Sequence, residues 1–300
     1  MPLAATALAT ISDEDGGASA VSASITPTAN ALVICDVLNI NADLSPGDTP
    51  TVSGNGLTWV QVATLLYGPG SGLPRLTRFR ALGASPTSGA VTVSCSVNQA
   101  LICASIYEIA GVDTSGSNGS GAIVQTVTDT PSVVDATSTP TVTLAAFASS
   151  ANLAIGALGY GGDQFDTAPG TGFTGVHEIS AGGVTSILAT EYKLNDTTVD
   201  WDLLDVGGGG YTVGAIASEI KAAASLAYEQ EGFRWRNDDG SESAATWAAT
   251  QDTDITAAAG EARRLRMLTN VSGDAPSEGL KLQYRKAGTS EWKDILRQGL

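Results

Sequence analysis

Gly54-Asn55-Gly56-Leu57-Thr58-Trp59-Val60 recurs as Gly170-Thr171-Gly172-Phe173-Thr174-Gly175-Val176, and this recurrence decides the fold. Three further blocks recur in the same order. Leu32-Val33-Ile34 answers to Leu153-Ala154-Ile155, Thr77-Arg78-Phe79-Arg80 to Thr190-Glu191-Tyr192-Lys193, and Ile102 to Ile109 to the run from Val213 to Ile220. The offset drifts only from 121 to 111 residues, as differences in loop length would produce. Two Gly/Thr-rich segments can look alike by composition alone, but four blocks in one order point to an internal duplication. The alignment predicts equivalent positions for Trp59 and Gly175, and for Gln61 and His177.

Working outward, 43% hydrophobic content with only 15% charged residues describes a folded chain of 300 residues. Gly, Ser, Thr, Ala and Val dominate, and no long amphipathic helical pattern is present. Short runs separated by turn residues predict an all-β chain. Val91 to Val97 alternates with period two, so its Val and Cys side faces a core, and the apolar run Leu101 to Ile109 is expected to pair with it. Ala31 to Ile40 is apolar on both sides apart from Asp36 and Asn39, as for a central strand covered on both faces. Leu76 to Leu82 carries Arg78 and Arg80 on one face. The second unit reads as strands at Val142 to Phe147, Leu153 to Leu158, Phe173 to Ile179, Ser186 to Leu194, Val199 to Leu203 and Tyr211 to Ile220.

The expected organisation is an N-terminal arm at 1–25, a β-sandwich repeat at 26–112, a connector at 113–139 with one short β run at Ala122 to Val127, a second repeat at 140–224 and a C-terminal module at 228–300. The arm is small and polar with Asp13-Glu14-Asp15, and is expected to order only against a neighbour. The units are read as β-sandwich or jelly-roll-like. Each is small enough to favour close packing between the two.

The net charge of −16 argues against a surface that neutralises phosphates. It is uneven: residues 1–227 hold 19 acids and 5 bases, residues 228–300 hold 12 and 10. No run approaches the roughly 20 apolar residues of a membrane helix, and the first residues lack the basic n-region of a signal peptide. Cys95 and Cys103 flank a turn and are candidates for a cross-strand bridge, although synthesis in a cytoplasm favours free thiols.

At the C-terminus, Leu282-Gln283-Tyr284-Arg285-Lys286-Ala287-Gly288 with Glu291-Trp292 resembles the hairpin of fibronectin type III and immunoglobulin-like modules. Residues 228–300, with Tyr228 to Trp247, Arg264 to Asp274 and Leu280 to Gly288, look like a C-terminal module of tailed-phage structural proteins. The duplicated part, with Leu101 to Gly116, is similar to β-sandwich segments of phage and environmental proteins. These resemblances imply a small Ig-like domain after the duplicated body, and a place in a virion. They transfer no catalytic residue.

Candidate chemistry is sparse. His177 is the single histidine; its neighbour Glu178 points to the opposite face of a strand and no G-x-S-x-G elbow exists, so a polar surface role is expected. One histidine and three cysteines in strand interiors do not make a zinc site. Asp200 and Asp202, with Asp205 nearby, share a face, as do Asp252 and Asp254. Such pairs suit glycoside hydrolysis or calcium, but arise by chance among 31 acids. Asp13-Glu14-Asp15-Gly16-Gly17 lacks the spacing of a calcium loop. Gly207-Gly208-Gly209-Gly210 lacks the Lys-Ser/Thr of a phosphate loop. Trp59, Trp201, Trp235, Trp247 and Trp292 are read mainly as core, with sugar stacking as the alternative.

The expectation is a non-enzymatic virion structural protein without cofactor, metal or catalytic residues: a capsid decoration or minor capsid protein, or a tail or fibre component. Its partners would be copies of itself and other virion proteins, not nucleic acid or membrane. The alternative is an extracellular carbohydrate-binding or adhesive protein with a surface glycan as ligand.

Overall fold

A computed structural model of the chain describes residues 2–43, 45–68, 73–133, 139–161, 166–181, 186–204, 211–224, 227–239, 243–244, 246–258, 260–272, 283–284, 290–291 and 293–294. The protein is all-β and divides into two units, Met1–Ala223 and Ala224–Leu300.

The first half of the large unit contains β1 (Ala5–Asp13), β2 (Ser19–Val21), β3 (Leu32–Asn41), β4 (Thr51–Gly54), β5 (Val60–Leu66), β6 (Arg75–Ala81), β7 (Val91–Ser94) and β8 (Gln99–Ile109). They form a five-stranded sheet ordered β1-β8-β3-β6-β5 and a three-stranded sheet ordered β2-β7-β4. The pairs β1·β8, β2·β7 and β3·β6 are those of a long hairpin rolled into two layers, which is the jelly-roll wrap.

The second half contains β9 (Ile123–Asp129), β10 (Ser132–Val133), β11 (Thr141–Thr143), β12 (Leu153–Gly161), β13 (Asp166–Pro169), β14 (Thr174–Ala181), β15 (Ser186–Leu194), β16 (Thr198–Leu204) and β17 (Tyr211–Ile220). Its large sheet runs β9-β17-β12-β15-β14, with β10 also on β17, and its small sheet runs β11-β16-β13. Apart from β10, each strand has its counterpart in the first half.

Each half has its own core between its two sheets. Val33, Cys35, Val37 and Phe79 meet Val91 and Val93 in the first, and Ala154, Leu158 and Ala189 meet Val199, Trp201 and Leu203 in the second. The two large sheets also pack on each other. Leu32, Ile34 and Ile109 lie against Leu153, Ile155 and Ile220, and Leu38 and Leu76 against Ala157, Leu188 and Ile216. β3 therefore sends alternate side chains into two cores, which is why the run from Ala31 to Ile40 has no polar face. Glycine permits the closest approach: a Cβ on Gly214 would stand 2.2 Å from Tyr67 Cδ1 of the other half.

A buried polar cluster crosses this seam. Arg78 Nε and Nη2 donate to Asp36 Oδ1 and Oδ2 at 2.7 and 3.0 Å, and Tyr107 Oη donates to Oδ2 at 2.9 Å. Arg78 Nη1 reaches Ser218 Oγ at 2.9 Å and Ile155 O at 3.4 Å in the second half. Asp36 and Arg78 are fully buried, so each carries a desolvation cost that only the other's charge and these added bonds offset.

Several expectations change. Residues 1–25 are not an arm: β1 pairs with β8 from Ala5↔Ile109 to Asp13↔Ile102, β2 pairs with β7, and Leu3, Ile11, Ala20 and Ile25 are buried. Their Ala/Thr alternation is weakly apolar, and the partner edge lies about a hundred residues downstream, so the local sequence looks like a tail. Within 113–139, the short β run expected at Ala122 to Val127 is present as β9, and it is a ladder strand against β17. β7 does not pair with β8, because the chain crosses between sheets at 95–98 and consecutive strands fall in different layers.

The ladders also shift two aligned blocks. With Ile34 and Ile155 equivalent, Val60 and Thr174 stand opposite their partners Arg80 and Tyr192. Gly175 then answers to Gln61 and His177 to Ala63, while Glu191 answers to Phe79 and not Arg78. Both turns are closed by the same bond, Leu57 N–H to Gly54 O and Phe173 N–H to Gly170 O. The first half holds two more residues between that turn and the bulge in β5.

In the smaller unit, β18 (Ala227–Asn237) pairs with β19 (Arg263–Ser272), and β20 (Gln283–Tyr284) with β21 (Lys293–Asp294). Residues 246–248 run beside β18, through Asn237 N–H to Thr246 O and Ala248 N–H to Trp235 O. Arg234 lies 4.1 Å from the centre of the Trp247 ring, with Arg236 at 5.2 Å and Arg266 at 6.0 Å. Most of the Leu282–Gly288 hairpin, Trp292, Asp205 and Gly207–Gly210 lie outside the described residues.

Candidate functional site

A cavity of about 160 Å³ opens between the two sheets of the second half, where β13 and β14 form the edges. Glu191 on β15 and Trp201 on β16 line it, with Thr167 and Pro169 of β13 and Gly175 and Val176 of β14. Trp201 owes its place to Gly156 on β12, where a Cβ would stand 2.6 Å from the indole Cζ2 and 2.5 Å from Val199 Cγ1. Gly175 keeps the mouth narrow, since a Cβ there would meet Pro169 Cγ at 3.0 Å.

Glu191 is 1% exposed, and its Oε2 accepts Gly170 N–H at 3.0 Å. Its Oε1 has no partner, nor has the indole Nε1 of Trp201, itself 1% exposed. Burial, aided by Asp200 and Asp202, pushes the Glu191 carboxyl up to about 8. It is therefore mostly protonated at neutral pH, able to donate as well as accept. Phe79 fills the equivalent ladder place in the first half. One copy of the duplicated core thus has an aromatic ring where the other has a carboxyl. The sequence signal is Glu191 within the apolar run Ile187 to Tyr192, but aligning it with Arg78 hides the contrast.

Glu178 also lines this cavity, and so does His177. Its Nδ1 is hydrogen-bonded at 2.9 Å to Ser105 Oγ of the first half, which also bonds Thr190 Oγ1 at 2.9 Å. Burial lowers its pKa and favours the neutral ring. A serine–imidazole pair suggests a nucleophile and base, but Ser105 is fully buried and no substrate carbonyl can approach it. The pair fastens β14 to β8 instead. The expected surface role of His177 is thus replaced by one at the seam between halves, which its equivalence to Ala63, a seam residue, and not to Gln61 explains.

Asp200 and Asp202 lie on the other side of β16 from Trp201; burial and then Asp202 raise the pKa of Asp200. Among the described residues, no group of three or more His, Cys, Asp or Glu is placed to hold a metal ion. Asp13 Oδ1 accepts Asp15 N–H at 2.9 Å and closes a turn. Asp252 Oδ1 accepts Phe233 N–H at 2.8 Å beside β18. Cys35, Cys95 and Cys103 are free thiols. Cys95 faces the first core and Cys103 the seam, and burial pushes them up to about 11 and about 12, so neither is a thiolate at neutral pH. Trp201 is core, while Trp247 is 40% exposed.

Comparison with protein-family models, with curated proteins and with solved structures finds no match for this chain.

Proposed function

We propose that the protein is a non-enzymatic structural component of a virion: a capsid decoration or minor capsid protein, or part of a tail or fibre. The observation that carries this reading is the seam between the halves. The Asp36–Arg78–Tyr107 cluster reaches across to Ser218, and Ser105 holds His177, so these polar and ionisable groups are used to join four β layers. A body joined this way resists local opening, as a particle component must. The resemblance of residues 228–300 to phage modules supplies the setting, and the partners are further copies and other virion proteins. Fold alone assigns no role, so the test is direct. Electron microscopy of native material should show particles or tubes carrying the protein, with antibody label on their surface. A chain found only as a soluble monomer overturns the reading.

A glycan-binding role is favoured by one feature of the smaller unit, the exposed Trp247 ring among Arg234, Arg236 and Arg266. Stacking with positive charge suits acidic sugars. Retention on an acidic-glycan array, lost in Trp247→Ala, supports this reading.

A further inference from the structure

We propose that the cavity between β13 and β14 is a binding site for a small neutral hydroxylated ligand, a polyol or the terminal unit of a sugar chain, held by Glu191 and Trp201. The proposal is independent of where the protein is used, since a virion component and an adhesin can both carry such a site.

A buried polar atom without a partner costs roughly 1–3 kcal/mol. In the second half two such atoms, Glu191 Oε1 and Trp201 Nε1, belong to residues that line one cavity. The first half shows that the fold does not require the carboxyl: Phe79 fills the same ladder place and lies in an apolar core. A replacement that costs stability and opens space is the mark of a site and not of packing.

Chemistry narrows the ligand. The indole N–H only donates, so the occupant must offer an acceptor. The carboxyl offers Oε1 to a donor or, protonated, donates to an acceptor. A hydroxylated ligand offers acceptors and donors together. An ammonium cannot accept from Trp201, and a carboxylate or phosphate would give up its hydration in a cavity whose lining holds Glu178 and Glu191 but no Lys or Arg. Size agrees, since a cavity of about 150 Å³ holds a molecule as large as benzene, and this one measures about 160 Å³. The walls at Pro169, Val176 and Trp201 provide apolar contact for a sugar's C–H face.

The test uses the full chain, with ligand-observed NMR and tryptophan fluorescence titration against glycerol, glucose, galactose and N-acetylglucosamine. A glycan array separates a sugar-chain end from a free polyol. Saturable binding of at least one probe is expected. Glu191→Phe, which copies the first half, should abolish it while thermal unfolding remains cooperative. Trp201→Phe keeps the ring and removes the donor, and should weaken binding by about 3- to 10-fold, as for one lost hydrogen bond. Glu191→Gln keeps the shape and should bind within about threefold of the parent. No saturation with any of the four probes, binding unchanged in both Glu191→Phe and Trp201→Phe, or a probe-soaked crystal showing ordered water only in the cavity overturns the proposal.

Discussion

Two buried carboxyls differ because of what stands beside them. Asp36 meets Arg78 and Tyr107 in a closed network. Removing one member leaves the other charge unpaired in a dry seam, so Arg78→Met should cost about 3–5 kcal/mol in urea unfolding. Adding Asp36→Leu to that variant should recover much of the loss, because the orphaned charge is gone. Glu191 has no cation against it, and burial raises its pKa from an ordinary carboxyl value to about 8. The folded state then holds a proton that the unfolded state releases, so stability is fully present below the unfolded pKa and declines as pH rises towards and through 8. Each tenfold change in proton affinity between the two states is worth about 1.4 kcal/mol. Glu191→Gln should flatten this slope between pH 5 and 9 and unfold at a higher temperature than the parent at pH 9. An unchanged slope would mean that Glu191 is not the proton carrier. The residue types were legible in the sequence, but their opposite fates were not, since Arg78 comes from a neighbouring strand and Glu191's isolation comes from its sheet position.

The strand at the N-terminus is the element most easily misread. Ala5 to Asp13 carries only small residues and Leu8 and Ile11, too little apolar surface to declare itself, yet it supplies an edge ladder along nearly all of β8. Deleting residues 1–21 removes β1 and β2 together and exposes the backbone of β8 and β7. That variant should lose cooperative thermal unfolding or aggregate, whereas a dispensable arm would leave the transition unchanged. A strand interior is equally unforgiving where layers touch. Gly214→Val would drive its side chain into the Tyr67 ring, and overpacking of this kind costs about 1–3 kcal/mol. Circular dichroism melts of the variant should show a lower transition temperature. Alternation marks β7 in the sequence, but alternation names a face without naming the partner. That is why β8 reads as the partner of β7, although the chain crosses to the other sheet between them.

At the scale of the molecule, the boundary after Ala223 separates the joined double sandwich from the smaller unit. A chain ending at Ala223 should be soluble and show a melt of its own, and failure to fold would make the smaller unit part of the body's stability. The duplication, the all-β class, the two-sided burial of Ala31 to Ile40 and the charge asymmetry were readable from order and period, because local patterns encode them directly. Tertiary structure alone decided that residues 1–25 belong to the core, that the two large sheets meet through Arg78 and His177, and that Glu191 stands where the other half has Phe79. The physical reason is the same each time. A strand's sequence fixes which side chains share a face, whereas its ladder partner, and so the true equivalence of two copies, is set by hydrogen bonds to strands distant in the chain. A slip of one residue moves every side chain to the opposite face.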